Sequence, residues 1–280
     1  MSKVNGPSAI SSALSFLIWP SLAAVPLVLT SNNRYVDIFP GHLFDVAPTD
    51  YWHHPERLWP SPVGLSLGLF AVVVGQVFTL VYFYYKRNAS LGNNGLAIQK
   101  EGARVYDWWE GISTHLAQPE GFVMLGGYLI FSWMLGLMPA TYYSFTGGIN
   151  WKHVLMQLLI QDFIQFLMHG VEHVIKSLYR VSHKPHHRFT NPRLFDAFNG
   201  SPTDTFLMIL VPLAITARLV DANVWSYMAF GSIYANWLTL LHSEYPHAWD
   251  PLFDAIGFGT PADHHVHHKL FTYNYGHLFM

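Results

Sequence analysis

The sequence predicts an all-α, polytopic membrane protein with about four to six transmembrane helices and a cytosolic, His-rich helical cap. Three observations carry that expectation. The chain of 280 residues is 51% apolar but only 11% charged, less than half the charge of an average soluble domain. Charge-free stretches recur along it, each close to the length that spans a bilayer. Its 17 histidines outnumber its 15 lysines and arginines, and twelve of them lie between residues 169 and 277.

The first apolar run, Ile10 to Leu29, is long enough to cross a hydrocarbon layer of about 30 Å, and no small-residue cleavage site follows it, so it reads as an anchor rather than a signal peptide. Residues 31–60 form a polar connection. The run from Leu58 to Tyr85 ends at Lys86-Arg87, a cytoplasmic stop under the positive-inside rule. Residues 86–120, with Lys100, Glu101, Arg104, Asp107 and Glu110, read as a cytosolic connection holding a short amphipathic helix. A third apolar run spans Phe122 to Tyr143. The fourth, His153 to Ile175, carries Gln157, Gln161, Gln165, His169 and His173, each four residues from the last. That spacing makes one slowly drifting helical stripe. Polar side chains in a membrane helix face the protein interior; for the glutamines, interhelical hydrogen bonding and a functional role both fit. Thr205–Leu219 and Val224–Leu241 are two further apolar stretches near the short limit for a span. The expected division is N-terminal membrane helices and connecting loops over 1–120 and a His-rich part over 121–280.

Composition also excludes classes of function. A formal charge of −2 excludes a polybasic nucleic-acid binder, so no nucleic acid partner is expected. The absence of cysteine excludes disulfides, iron–sulfur clusters and thiolate metal sites.

The histidines form four clusters. His169-Gly-Val-Glu-His173 sets two imidazoles at i and i+4, on one helix face. His183-Lys-Pro-His186-His187 lets His183 and His186 converge, while adjacent His186 and His187 point apart and suit two neighbouring metals. His242 ends the last apolar stretch, with His247 close behind. His264-His265-Val-His267-His268 repeats the H-x-x-H-H spacing. All-imidazole sites suit zinc, copper, iron or nickel. One zinc needs three or four ligands, so this excess implies two metals. Glu172, Glu244 and Asp263 are candidates to orient the rings from behind. With Lys86-Arg87 in the cytosol, the alternation of spans puts every cluster after residue 160 at one membrane face. A His-rich metal transporter is the rival from another class. It needs ionisable groups along a path at mid-membrane, as a zinc hydrolase needs a single metal.

These boxes resemble those of the fatty acid hydroxylase superfamily, membrane di-iron oxygenases that include sterol desaturases and hydroxylases. The resemblance covers roughly residues 120–280. The stretch from His264 to Gly276 is similar to the tail of sterol C-5 desaturases, whereas Phe195-Asp-Ala-Phe-Asn-Gly-Ser-Pro-x-Asp-Thr205 is similar to superfamily members of algae that epoxidise squalene. The resemblance implies His169, His173, His183, His186, His187, His242, His264, His267 and His268 as ligands, with His247, His265 and His277 as extras. It further implies two iron ions, O2, and electrons from an NAD(P)H-dependent reductase or b-type cytochrome. A redox partner protein, membrane lipids and a lipid substrate drawn from the bilayer are the expected partners, at the endoplasmic reticulum membrane with the metals on the cytosolic face. Phe163, Phe166, Phe195, Phe198, Trp237 and Tyr273 are candidates to line the substrate cavity. Lys176, Arg180, Lys184, Arg188 and Arg193 form a basic strip suited to an acidic carrier or to anionic lipid. Family members usually continue past the position of Met280 with Trp-Asp and a Gly-Ser/Thr turn, so truncation there is an expectation.

Overall fold

In a computed structural model, residues 9–32, 37, 62–91, 97–99, 106–116 and 118–279 are described. Lys100, Glu101, Arg104, Met280 and most of the 31–60 connection lie outside them. The described residues are mostly helical, without named strands. The helices are α1 (Ala9–Asn32), α2 (Pro62–Leu91), α3 (Trp108–Leu116), α4 (Pro119–Met134), α5 (Trp151–Val174), α6 (Lys176–Val181), α7 (Pro202–Leu219), α8 (Val224–Leu241), α9 (Asp250–Ala255) and α10 (Pro261–Leu270).

Among the described residues, α5, α7 and the Val63–Asn88 part of α2 are long and apolar enough to cross a membrane, and α1 and α4 contain shorter apolar runs. Their outer faces show Phe70, Val73, Phe78, Leu159, Phe163 and Ile215, the surface a hydrocarbon solvent accepts. The chain is thus a polytopic helical membrane protein.

Although the apolar stretch of α8 is near the short limit for a span, this helix runs through the middle of the bundle, packed by α1, α2 and α5. Its residues are apolar nearly all round, the pattern of a helix buried on every side. The few polar ones make the joints. Ser232 Oγ donates to Leu22 O at 2.8 Å, Thr79 Oγ1 to Asn236 Oδ1 at 2.8 Å, and Gln76 Nε2 to Thr239 Oγ1 at 3.1 Å. A Cβ at Gly75 would lie 2.5 Å from Asn236 Nδ2, so only glycine lets α2 approach α8 this closely.

The glutamines of α5 are interhelical glue. Gln157 donates to Tyr142 Oη, Gln161 accepts from Thr216, and Gln165 donates to Met208 O while accepting from Tyr234. In α7 the turn over Phe206–Leu210 widens to π geometry just before Pro212, whose ring supplies no N–H to the ladder.

Between α2, α3, α4, α7 and α8 lies an almost wholly apolar cavity of about 410 Å³, lined among others by Gly68, Val72, Leu129, Trp133, Phe198 and Leu238.

Candidate metal centre

The imidazoles collect into two groups where α5, the 183–188 turns, the end of α8 and α10 meet. Ring nitrogens of His169, His173, His183, His187 and His267 all lie within 4.8 Å of one another; so do those of His186, His242, His264 and His268. Two nitrogens bound to one ion at about 2.1 Å are at most about 4.2 Å apart, and the facing pairs of the two groups, at 2.8 to 3.4 Å, fall inside that limit. The groups adjoin, with the rings of His187 and His268 centred 4.7 Å apart.

Local structure explains the division. On α10, His264 and His268 are one helical turn apart and enter the four-ring group, whereas His267, on the neighbouring face, enters the five-ring group. The helix starts at a capping box in which Thr260 and Asp263 bond each other's backbone N–H. His186 and His187 open a short 3-10 turn and diverge into different groups.

Proton positions follow from the partners. A carbonyl only accepts, so His169 Nδ1 donates to Tyr275 O at 2.8 Å, His267 Nδ1 to Tyr273 O at 2.7 Å, and His242 Nδ1 to Leu238 O at 2.8 Å. His183 Nδ1 donates to Asp204 Oδ1 at 2.6 Å. In each of these rings Nε2 is left with a lone pair. Yet His169 Nε2 faces His183 Nε2 at 2.8 Å, His267 Nε2 faces His187 Nε2 at 3.0 Å, and His242 Nε2 faces His264 Nε2 at 3.0 Å. Between His169 and His183, both of which donate from Nδ1, two lone pairs meet with no proton between them and repel; a cation between them turns the repulsion into coordination. Burial also favours the neutral form of His186, His264, His267 and His268. It pulls His186 down to about 4 and His267 to about 2, and His264 and His268 well below the ordinary value. Metal ligation requires that neutral form. The donor set therefore fits two cations.

Other expected residues lie elsewhere. His247 is engaged at both nitrogens, by Tyr82 Oη at 2.5 Å and Leu240 O at 3.2 Å, and stacks on Trp249. His265 is likewise engaged, with Ser243 O and Gln99. Neither joins a group. His277 lies between them, its ring 5.2 Å from that of His169 and 5.6 Å from that of His264, and belongs to neither. Of the carboxylates, Glu172 sits beside the five-ring group, 3.6 Å from His183 Nδ1. Glu244 instead binds Tyr106 and the Leu194 N–H, and Asp263 caps α10.

The six aromatic candidates do not share one cavity. Phe198 lines it. Phe195 is in the core against Phe83, Tyr106 and Trp108. Phe163 and Phe166 face outward on α5, as their place on the side opposite the glutamines dictates. Trp237 donates its indole N–H to His277 O at 2.8 Å, and Tyr273, 59% exposed, contributes its carbonyl rather than its ring. Arg193 leaves the basic strip. It is buried in an ion pair with Asp196 at 2.9 Å, whereas Lys176, Arg180, Lys184 and Arg188 are exposed.

Two functional positions escape sequence reasoning. Asp204 is one, although it falls in the Ser-Pro-x-Asp segment. Asp162 is the other. It accepts the backbone N–H groups of His277, Leu278 and Phe279, so one buried carboxylate secures the C-terminal tail.

Helical membrane architecture and paired imidazole groups define a class that the comparisons specify. The fatty acid hydroxylase profile matches residues 154–280. The chain is 53% identical over 284 residues to an alternative squalene epoxidase of Phaeodactylum tricornutum, covering 98% of this chain and 79% of that protein. The chain belongs to the fatty acid hydroxylase family. It is also 30% identical over 123 residues to a Delta(7)-sterol-C5(6)-desaturase of Nicotiana tabacum, covering 43% of each. With a lathosterol oxidase of Rattus norvegicus the identity is 29% over 138 residues, covering 46% of this chain and 44% of that protein. No solved structure matches.

Proposed function

We propose that this oxidoreductase is a membrane-bound, O2-dependent di-iron oxygenase that epoxidises squalene in sterol synthesis. The observation that carries the reading is the pair of adjoining imidazole groups, whose ring nitrogens converge on two positions. The relative aligned along 98% of the chain is named for squalene epoxidation, and this directs the choice of substrate.

In this reading His169, His173, His183, His187 and His267 hold one iron, and His186, His242, His264 and His268 the other. Bound iron supplies the activation of O2, which no side chain here provides. Overall, one oxygen atom adds across an alkene and the other leaves as water, consuming two electrons and two protons. The chain's own part is positioning and dryness. Backbone carbonyls fix His169, His267 and His242, and Asp204 fixes His183, through their outer nitrogens. The apolar cavity takes a hydrocarbon from the bilayer and excludes water. Its wall residue Leu238 also provides the carbonyl that holds His242, which links the cavity wall to the four-ring group. Electrons come from a reductase or b-type cytochrome docked near Lys176, Arg180, Lys184 and Arg188, on the cytosolic face of the endoplasmic reticulum membrane.

The test is expression in a yeast lacking its own squalene epoxidase. Growth without added sterol is the expected result. Failure there, with rescue of a sterol C-5 desaturase mutant, transfers the function to desaturation.

A further inference from the structure

The outward nitrogens of the two groups lean on different chemistry. In the four-ring group, His242 donates to a neutral carbonyl, His186 bonds the backbone at Asn199 and meets Asp204 only through space, and among the described residues Nδ1 of His264 and of His268 has no hydrogen-bond partner. In the five-ring group, His169 and His267 also use carbonyls, but His183 donates to the carboxylate of Asp204 at 2.6 Å. That carboxylate is anchored. Ser201 Oγ caps α7 by accepting the Asp204 N–H at 3.1 Å and donates to Ser182 O at 2.6 Å. The start of α7 is thus tied to the residue preceding His183. Glu172 adds a second carboxylate on the same side of the same ring.

A carboxylate behind an imidazole draws the Nδ1 proton outward, enriches Nε2 in electron density and puts a negative charge near the cation. A carbonyl does the first of these weakly and the last not at all. We propose that Asp204 makes the two metal positions unequal. It is a positioning residue that, through His183, holds the metal of the five-ring group more tightly than the four-ring group holds its own. The inference rests on the two-metal reading.

The full chain in nanodiscs, loaded anaerobically with ferrous iron and then challenged with a ferrous chelator, tests it. The unaltered protein binds two irons and releases them in a fast and a slow phase. His264→Ala removes the fast phase and so assigns it to the four-ring group. Asp204→Asn accelerates the slow phase by about 10- to 100-fold, the usual cost of losing such a partner, leaves the fast phase unchanged, and alters one of two Mössbauer signals. Asp204→Glu restores part of the retention. Ser201→Ala, which keeps the carboxylate but removes its tether, gives a smaller selective shift and serves if Asp204→Asn does not fold. Equal acceleration of both phases, or an unchanged slow phase in the variants that fold, overturns the inference. Fewer than two irons in the unaltered protein overturns the two-metal reading along with it.

Discussion

The five-ring and four-ring groups are built from the same side chain but depend on different parts of the chain. The five-ring group leans on the C-terminal tail, through the carbonyls of Tyr273 and Tyr275, and on α7, through Asp204. The four-ring group leans on α8, through Leu238 O, and that helix is buried on nearly every side. One group therefore rests on a secured extension and a charged partner, the other on the most enclosed element of the fold. Identical ligands need not give identical sites, because the outward ring nitrogen is where the protein distinguishes them.

The largest effects come from removing a ring. His187→Ala and His264→Ala should each abolish epoxide formation and lower bound iron from two to about one, in different groups, with the protein still in the membrane. Metal analysis of both variants checks this, and loss of both irons from either would merge the groups into one unit.

Acid strikes the rings left outside the groups as well. Burial holds His247 at about 3 and His265 at about 4, against about 6.5 in the unfolded chain. Between those values the unfolded state binds the proton and the native state does not, so stability present at neutral pH is lost as pH falls below about 6.5. Each ring costs about 2 kcal/mol at pH 5. Thermal unfolding of the metal-free protein between pH 7 and pH 5 should show this decline, and a flat profile would contradict the burial.

Releasing the tail sharpens the contrast. Asp162→Asn keeps one acceptor for three backbone donors and should cost about 2–3 kcal/mol. Because the tail holds His169 and His267, iron retention in the five-ring group should fall more than in the other. Equal loss from both would place the tail's influence elsewhere. The smallest effect belongs to the cavity. A Cβ at Gly68 meets nothing within 4 Å and Gly68 lines the cavity, so Gly68→Leu places its side chain in that space. It should raise the KM for hydrocarbon substrate about tenfold and leave both irons in place. An unchanged KM would exclude this cavity as the substrate route.

Much of the site was legible along the chain because helical spacing is a local property. The i, i+4 pair His169 and His173 and the H-x-x-H-H runs place their rings together before any tertiary contact forms. The pairing of His186 with His264, and of His187 with His267, joins segments about 80 residues apart, and no spacing specifies which ring meets which. The aromatic candidates part from one another for the same reason. Phe163, Phe195 and Trp237 are equally apolar in sequence, and only their neighbours make one lipid-facing, one core and one an anchor for the tail. Asp204 and Asp162 were overlooked because a single aspartate has no periodicity to mark it.

By itself the amino-acid order determined that the chain is helical, belongs in a bilayer and concentrates imidazole in four short boxes, since these follow from composition and local period. Tertiary structure decided that α8 runs through the middle of the bundle, that nine rings divide five and four, and that among the described residues only the five-ring group has a carboxylate hydrogen-bonded to an outer ring nitrogen. Those outcomes depend on which distant backbone carbonyls and side chains arrive at each outward nitrogen, and long-range packing sets that geometry.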